Sequence, residues 1–307
     1  MNIRNLLLAS VCFVMTTLVS HAQDYDFRVL VNKGQNEVKS SSNEWQILKT
    51  GSRLKSGQEI KIVTDGYVGL VHSSGKTQEL KSAGTYDIAT LSSGVVAGSK
   101  NIATKYADFV RSKMSPEERE ENRRKYANVT GAATRGEDDE INLYMPTSVS
   151  VYNNRAIIRW DPIEDNGIYQ IKLKNIFEDV IMIAETEETS YTIDFANSKI
   201  ASSTVENLII VNISMKNNED IKSKDAAIER VTMADEPEFA GELSDLQASL
   251  GDNLSSINGL IMAEFYEEND LVLDALTSYE QSIQLSPDVP YFQEAYSEFL
   301  MRTGLKQ

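Results

Sequence analysis

The run Ala156-Ile157-Ile158-Arg159-Trp160-Asp161-Pro162 is followed, seven residues after its proline, by Tyr169-Gln170-Ile171-Lys172-Leu173. In both, every second side chain is apolar, the period of a strand that buries one face. Outward from this pair the same texture continues. Ser148–Val151 precedes it, and Val180–Ala184, Ser190–Ile193, Leu208–Met215 and Ala226–Val231 follow. Seven short strands in about 95 residues predict a β-sandwich over 141–234. Trp160 sits at a strand position beside Ile158, where packing in the core is the expected role rather than exposure as a ligand platform.

The Ile157-x-Arg159-Trp160-x-Pro162 and Tyr169-x-Ile171-x-Leu173 pairing resembles a fibronectin type III domain, in which the tryptophan packs beneath the next strand's aromatic residue. Leu208-Ile209-Ile210-Val211 stands where that family carries a tyrosine-bearing strand.

Residues 23–100 predict a second, smaller all-β unit. Phe27, Val29 and Val31 alternate with Arg28, Leu30 and Asn32, and Gly57, Gly66, Gly75 and Gly84 fall nine residues apart at turns. This stretch resembles the FecR-like domain of bacterial envelope proteins. The likeness lies in Trp45-x-x-Leu48-x-x-Gly51-x-x-Leu54-x-x-Gly57-x-x-Ile60, then Thr64-Asp65-Gly66-Tyr67-Val68-x-Leu70 and the Ser74-Gly75-Lys76 turn. It implies a β fold with Leu54, Ile60, Ile62, Val68 and Leu70 in its core, and an envelope setting. The family's sensing members act through a cytoplasmic tail, for which this chain has no segment, so anti-sigma activity is not expected.

Between the two β units, 101–140 is expected to be a helical connector and acidic linker. Ile102, Tyr106, Phe109, Val110 and Met114 share one helical face, and Ser115-Pro116-Glu117-Glu118 has the cap, proline and acids of a helix start. The charged run Glu117–Lys125 is read as a solvated face, and Gly131, Gly136 and the acids from Glu137 to Glu140 as linker.

Residues 235–307 predict an α-helical tail. Leu243, Leu246 and Leu250 form a stripe that Gly251 ends. Ala263, Tyr266, Ala275, Tyr279, Ser282 and Pro287 then follow at the offsets of the 34-residue tetratricopeptide repeat. The tail resembles one degenerate repeat, with Gly259 and Ala263 at the usual tryptophan and glycine positions, and a partial second repeat carrying Phe292, Tyr296, Phe299 and Leu300. Because roughly three repeats are needed for independent stability, this tail is expected to dock on its neighbour or on a partner. Tyr266, Tyr279 and Tyr296 are the candidate partner-binding residues. The chain is thus read as multi-domain and β-rich with helices.

The amino terminus reads as an export signal. Arg4 precedes an apolar run from Leu6 to Val19, and Ser20-His21-Ala22 is a small-x-small ending, which puts cleavage between Ala22 and Gln23. The run is shorter than a membrane-spanning helix, no later segment reaches that length, and Val11 before Cys12 is too large for a lipobox. Cleavage within residues 1–22 removes Cys12 and His21, leaving His72 as the one histidine of the mature chain. Disulfides, thiol nucleophiles, cysteine zinc sites and two-histidine metal sites are then excluded. A serine triad would have to use His72, which lies beside Ser73 and Ser74 at a strand end, where a turn-capping role is expected.

The chain carries a formal net charge of −16, and 15 acidic against 2 basic residues lie from Asp235 onward. Such a surface repels nucleic acid and anionic lipid. It is read first as a solvated helical face and, more sharply, as a docking surface for a basic partner.

No phosphate loop, zinc motif or nucleophile elbow is present. Two clusters, Asp161 with Glu164 and Asp165, and Glu185 with Glu187 and Glu188, are the carboxylates a hydrolase would need. Nothing in the sequence brings them to one cleft, and Glu137-Asp138-Asp139-Glu140 lacks the alternating ligands and glycine of a calcium loop. No cofactor, metal or catalytic residue is expected. The leading reading is an exported, non-enzymatic scaffold or adaptor in the periplasm or at the surface of a Gram-negative bacterium, with envelope proteins as partners. Its rivals are a cell-wall glycan or other ligand-binding module, which needs Trp45 or Trp160 exposed, and a carboxylate-dependent hydrolase. A chain ending near Glu236 is expected to fold yet lose its main partner in an affinity pull-down; unchanged recovery would show that the acidic helices are not the docking surface.

Overall fold

The computed structural model describes residues 25–40, 43–95, 102–130, 140–163, 167–203, 207–232 and 236–305. The export signal, its cleavage site at Ala22 and Gln23, and most of the acidic linker lie outside the described residues. The chain is β-rich, with eight described helices and several antiparallel sheets.

The first module contains β1 (Phe27–Lys33), β2 (Glu37–Lys39), β3 (Trp45–Ile47), β4 (Arg53–Leu54), β5 (Glu59–Ile62), β6 (Tyr67–His72), β7 (Thr77–Leu80) and β8 (Gly84–Asp87). A short helix α1 (Ile88–Ser93) follows. The strands form two sheets, ordered β4-β1-β6-β7 and β3-β2-β5-β8. Between them lie Phe27, Val29, Leu48, Leu54, Ile60, Ile62, Val68, Leu70, Leu80 and Ile88. All five core positions expected from the sequence are among these.

Strand β6 is covered on both faces. Val68 and Leu70 point into this core, while Tyr67 and Val71 join a different one. Such double burial explains why Tyr67-Val68-Gly69-Leu70-Val71 is a continuous apolar run instead of an alternation. In β1, the register with β6 shifts between Val29 and Val31. A bulge of this kind re-aims the side chains beyond it, and Leu30 and Val31 both belong to the second core.

That second core is helical. Its frame is α2 (Ile102–Lys113), α3 (Pro116–Thr130), and, beyond the sandwich, four more helices. Between α3 and those four lie β9 (Ser148–Val151), β10 (Arg155–Arg159), β11 (Tyr169–Lys174), β12 (Val180–Thr186), β13 (Ser190–Asp194), α4 (Ser198–Ser203), β14 (Leu208–Met215), β15 (Asn218–Lys222) and β16 (Ala226–Arg230). The last four helices are α5 (Pro237–Leu250), α6 (Ser256–Glu268), α7 (Val272–Leu285) and α8 (Pro290–Thr303).

Helices α6 and α7 pack as a close hairpin. A β-carbon on Gly259 would stand 2.5 Å from Ser282 Oγ, so the absence of a side chain there sets the approach of the two helices. Ser255 caps α6 by accepting the Asn258 N–H at 3.1 Å. The expected connector face also holds: Tyr106 and Val110 of α2 are buried, with Ile102, Phe109 and Met114 packed against them.

The connector and the tail therefore share one core with the outer face of the first module. Leu30, Val31, Tyr67 and Val71 pack with Ala103, Tyr106, Leu246, Ile257, Leu260 and Phe265. Gly69 of β6 lies so near Ile257 that any β-carbon would collide with it. Glu79 accepts the Ile257 N–H at 3.0 Å, an anion at the start of α6. Lys33 pairs with Asp288 at 2.7 Å, and Arg28 pairs with Asp108.

In the sandwich, the seven expected strands are present and β15 is an eighth. One sheet runs β12-β11-β14-β16-β9, with β15 paired to β14, and the other is β10-β13. Trp160 is 2% exposed and meets Tyr169 edge-on at 5.3 Å, as the strand pattern required. Helix α7 ties this module to the helices: Leu273 enters the sandwich core, while Ala275, Leu276 and Tyr279 enter the helical one. Buried Asp274 accepts the backbone N–H groups of Tyr152 at 2.9 Å and Asn153 at 3.1 Å, and the Asn153 amide at 2.6 Å. Arg159 pairs with Glu280 beside it.

The tail docks on its neighbours within the chain, and this reverses the expectation that a chain ending near Glu236 folds normally. Such a truncation would uncover Leu30, Val31, Tyr67, Val71, Tyr106 and Val110 together. It is expected to bind a hydrophobic dye and to lose cooperative urea unfolding. Native-like cooperativity without dye binding would show that the first module stands on its own.

Candidate functional site

The turn between β11 and β12 is built by one side chain. Asn175 Oδ1 accepts the N–H groups of Phe177 and Asp179, each at 2.9 Å, and Glu178 takes a positive φ of 66°. This local geometry turns Ile176 and Phe177 outward. Phe177 is 69% exposed, and along β12 Val180 and Ile183 are 54% and 51% exposed. Half of the exposed large apolar side chains among the described residues thus fall within eight positions, and scattered single exposures would not need explaining.

Strand β12 is also an edge. It pairs with β11 on one side, and among the described residues no strand pairs with the other. Its register sets Ile183 beside Lys172 and Val180 beside Lys174 on the outer face of the sheet. That face floors a cleft of about 1060 Å³, lined among others by Lys172, Lys174, Asn212 and Ser214. Both lysines have exposed partners on the rim: Lys172 with Glu219 at 3.2 Å, and Lys174 with Asp225 at 3.4 Å and Glu178 at 3.8 Å. The Ser214 hydroxyl is buried without a hydrogen-bond partner. Acids flank the apolar strand at both ends, Glu178 and Asp179 before it and Glu185, Glu187 and Glu188 at and after its close.

The three tyrosines named from the repeat pattern lie elsewhere. Tyr266 and Tyr279 are 4% and 2% exposed, which leaves neither ring a surface to offer a partner. Tyr266 packs on Phe265 at 5.6 Å and its hydroxyl approaches Asn153 at 3.5 Å. Tyr279 lies 4.9 Å from Phe299 and donates to Glu267 at 3.0 Å. Tyr296 is half-buried, 6.5 Å from Tyr279, and donates to Glu280 at 3.3 Å. Burial raises the pKa of all three, and the neighbouring carboxylates add to it. Both buried tyrosines belong to the helical core that the first module, the connector and the tail share. The exposed edge carried no motif; its signal was the unbroken apolar run Val180–Ala184, and nothing local distinguishes an edge from a central strand.

Other candidates are accounted for. The Ser74 N–H donates to His72 Nδ1 at 3.0 Å, so Nε2 carries the proton toward Ser92 Oγ at 3.0 Å. Burial holds this imidazole below its ordinary pKa, consistent with a neutral turn-capping residue. Asp161 accepts the Tyr144 hydroxyl at 2.7 Å, and burial together with that carboxylate pushes Tyr144 up to about 12. Glu185 pairs with Lys216 at 2.6 Å, while Glu164 and Asp165 lie outside the described residues. Among the described residues, no group of three or more histidine, cysteine or acidic side chains is placed to hold a metal ion. Trp45 is 36% exposed, with the Lys39 and Lys61 ammonium groups 5.6 and 5.8 Å from its ring centre.

Among the described residues, the most strongly perturbed carboxylate is structural. Glu264 is buried in the helical core, 2.7 Å from Lys113, which also meets Glu267 at 3.1 Å and Glu268 at 2.7 Å. Arg302 makes a two-pronged contact with Glu267, both arms at 2.9 Å. Three carboxylates share two cations, and neither Glu264 oxygen has a well-formed hydrogen bond. Burial, with the like charge of Glu267, pushes Glu264 up to about 7.

No family model matches this chain, and no curated protein matches it. Among solved structures it matches one described as "Crystal Structure of FN3tt", at 15% identity and a TM-score of 0.19, covering 30% of this chain and 86% of that one. At that TM-score the likeness carries no weight of its own; the sandwich is established by this chain's strand order and core.

Because the Glu264 pKa is raised from 4.5 to about 7, the folded state holds a proton that the unfolded chain releases. Stability from this group is full below pH 4.5 and falls as pH rises through 7. Glu264→Gln is expected to flatten that decline and to raise the urea midpoint at pH 8. An unchanged pH profile in the variant would show that Glu264 titrates normally.

Proposed function

We propose that this chain is an exported, non-enzymatic envelope protein that acts as a scaffold or adaptor through protein–protein contacts. In this reading it combines a FecR-like first module, a fibronectin type III-like sandwich and tetratricopeptide-like helices, in the periplasm or at the surface of a Gram-negative bacterium. The observation that carries it is the exposed apolar edge Ile176–Ile183 on a sandwich fixed to the helical core through Leu273, Asp274 and Glu280. An adaptor needs such a mount, because a surface held in place loses less freedom on binding. A large exposed apolar patch rimmed by polar groups is characteristic of interaction sites.

The partners in this reading are other envelope proteins with basic surfaces. Much of the tail's acidity is engaged inside the chain: Glu242 pairs with Lys105 at 2.6 Å and Glu298 with Arg119 at 3.1 Å, alongside the Glu264 and Glu267 network. Beside β12, Glu185 pairs with Lys216 and Glu178 with Lys174, which leaves Asp179, Glu187 and Glu188 as the acids there that can meet a partner. The glycan-binding reading rests on Trp45, half-open between Lys39 and Lys61. A single aromatic platform without a cleft supports it less than the apolar edge supports a protein contact.

A photo-crosslinking amino acid at position 183, in cells expressing the full chain, is expected to give adducts of discrete mass. The same group at Glu229, on a central strand, is expected to give none. Equal or absent adducts at the two positions would reject the adaptor reading at this surface.

A further inference from the structure

We propose that β12 receives an extended segment of a partner protein by strand addition, and that the segment is aliphatic at its centre and basic at both ends. The inference rests on the adaptor reading above and names the chemistry of the partner.

Strand β12 spans seven residues and is paired on one side only. Helix α4 lies against part of this strand, and the unpaired side of its backbone offers hydrogen-bonding groups to a strand laid alongside. Natural edges are usually short, bulged or carry inward charges; this one has a single bulge, where Ile181 is skipped between the Leu173–Met182 and Lys174–Val180 pairs. The centre of this one, Val180-Ile181-Met182-Ile183-Ala184, carries no charge. An added strand would cover Val180 and Ile183 on the outer face and continue the layer of Ile181, Met182 and Ala184, which pack on the sandwich core. Ile176 and Phe177 at the turn extend the apolar contact past the strand's beginning.

The flanking charges select the occupant. From Asn175 to Ser198 the sequence has no lysine or arginine, while Glu178 and Asp179 stand at one end of the strand and Glu185, Glu187 and Glu188 at the other. A second copy paired antiparallel about Ile183 would set Glu178 opposite Glu188 and Asp179 opposite Glu187. Like charges placed opposite each other across strands are destabilising, so the edge is guarded against its own copy. A segment with lysine or arginine at both ends meets acids at both ends instead. With about 3.4 Å per residue, seven to nine residues of an extended segment match the strand and both flanks.

The test uses the full chain and two labelled nonapeptides, each with alternating valine and threonine between paired end charges, lysine in one and glutamate in the other. Fluorescence anisotropy is expected to show at least tenfold tighter binding of the lysine-ended peptide. Hydrogen exchange is expected to show new protection within residues 180–186 when it binds. Ile183→Lys should weaken that binding at least tenfold. The exposed double change Glu187→Lys with Glu188→Lys, which leaves the apolar strand intact, should narrow or invert the preference between the peptides.

Binding of neither peptide overturns the proposal, as does equal binding of both. Binding without protection of β12 places the peptide in the cleft over Lys172 and Lys174 and also overturns it. Protection of β12 that grows with protein concentration in the absence of peptide would show self-pairing and overturn it too. If position 183 crosslinks to a protein in cells while neither peptide binds, strand addition fails and the adaptor reading stands. Loss of both results removes the adaptor reading as well.

Discussion

Helix α6 is enclosed on every side. Ile257 faces β6, where Gly69 leaves room for it; Gly259 meets Ser282 of α7; Phe265 packs against Tyr106 of α2 and Phe239 of α5. A helix apolar around its whole circumference has to be buried, and no single neighbour is broad enough to do this. The first module, the connector and the tail are therefore held in one arrangement by the need to cover one helix. Strand β6 is subject to the same demand from the other side, with its two faces in two cores.

Charge follows the same logic. The tail is strongly acidic and the rest of the chain nearly balanced, so the tail's carboxylates find their cations in other segments. Lys33, Lys105, Lys113, Arg119 and Arg159 each pair with an acid beyond Glu236. Exposed pairs such as Lys33 with Asp288 contribute little, while the pairs around Glu264 exact a desolvation penalty, as does buried Asp274 with its three N–H donors. The imbalance between three acids and two cations at Lys113 and Arg302, together with burial, raises the Glu264 pKa to about 7. The acidity read as a docking surface is, in large part, internal complementarity between segments.

Once the modules are fixed, what remains unpaired is informative. The sandwich offers the helices its β9–β10 turn and Arg159, while β12, with the short helix α4 against it, keeps Val180 and Ile183 exposed. The exposed aliphatic side chains of β12 and its uncharged centre favour pairing, the bulge at Ile181 blunts the edge in part, and the flanking acids add protection against a like-charged copy. Together these features describe a surface that discriminates by charge and holds by backbone pairing.

Period-two alternation was enough to place seven sandwich strands, because each buries one face in its own module and the pattern is local. Helical period and the serine and proline signals placed α2, α3 and the tail helices for the same reason. The core positions Leu54, Ile60, Ile62, Val68 and Leu70, and Trp160 beneath Tyr169, were legible too. Strand β15, Asn-Glu-Asp-Ile-Lys in sequence, was not: it has no apolar alternation and exists through its pairing with β14. The bulge after Val29, the second face of β6 and the burial of Tyr266 and Tyr279 were likewise invisible, since each depends on tertiary packing that no local pattern encodes. The sequence by itself determined most of the strands and the longer helices and which of their faces are apolar, because those follow from short-range period and capping. Only the tertiary structure decided which apolar face covers which, and so left β12 open, because that choice is made among long-range contacts that local sequence does not encode.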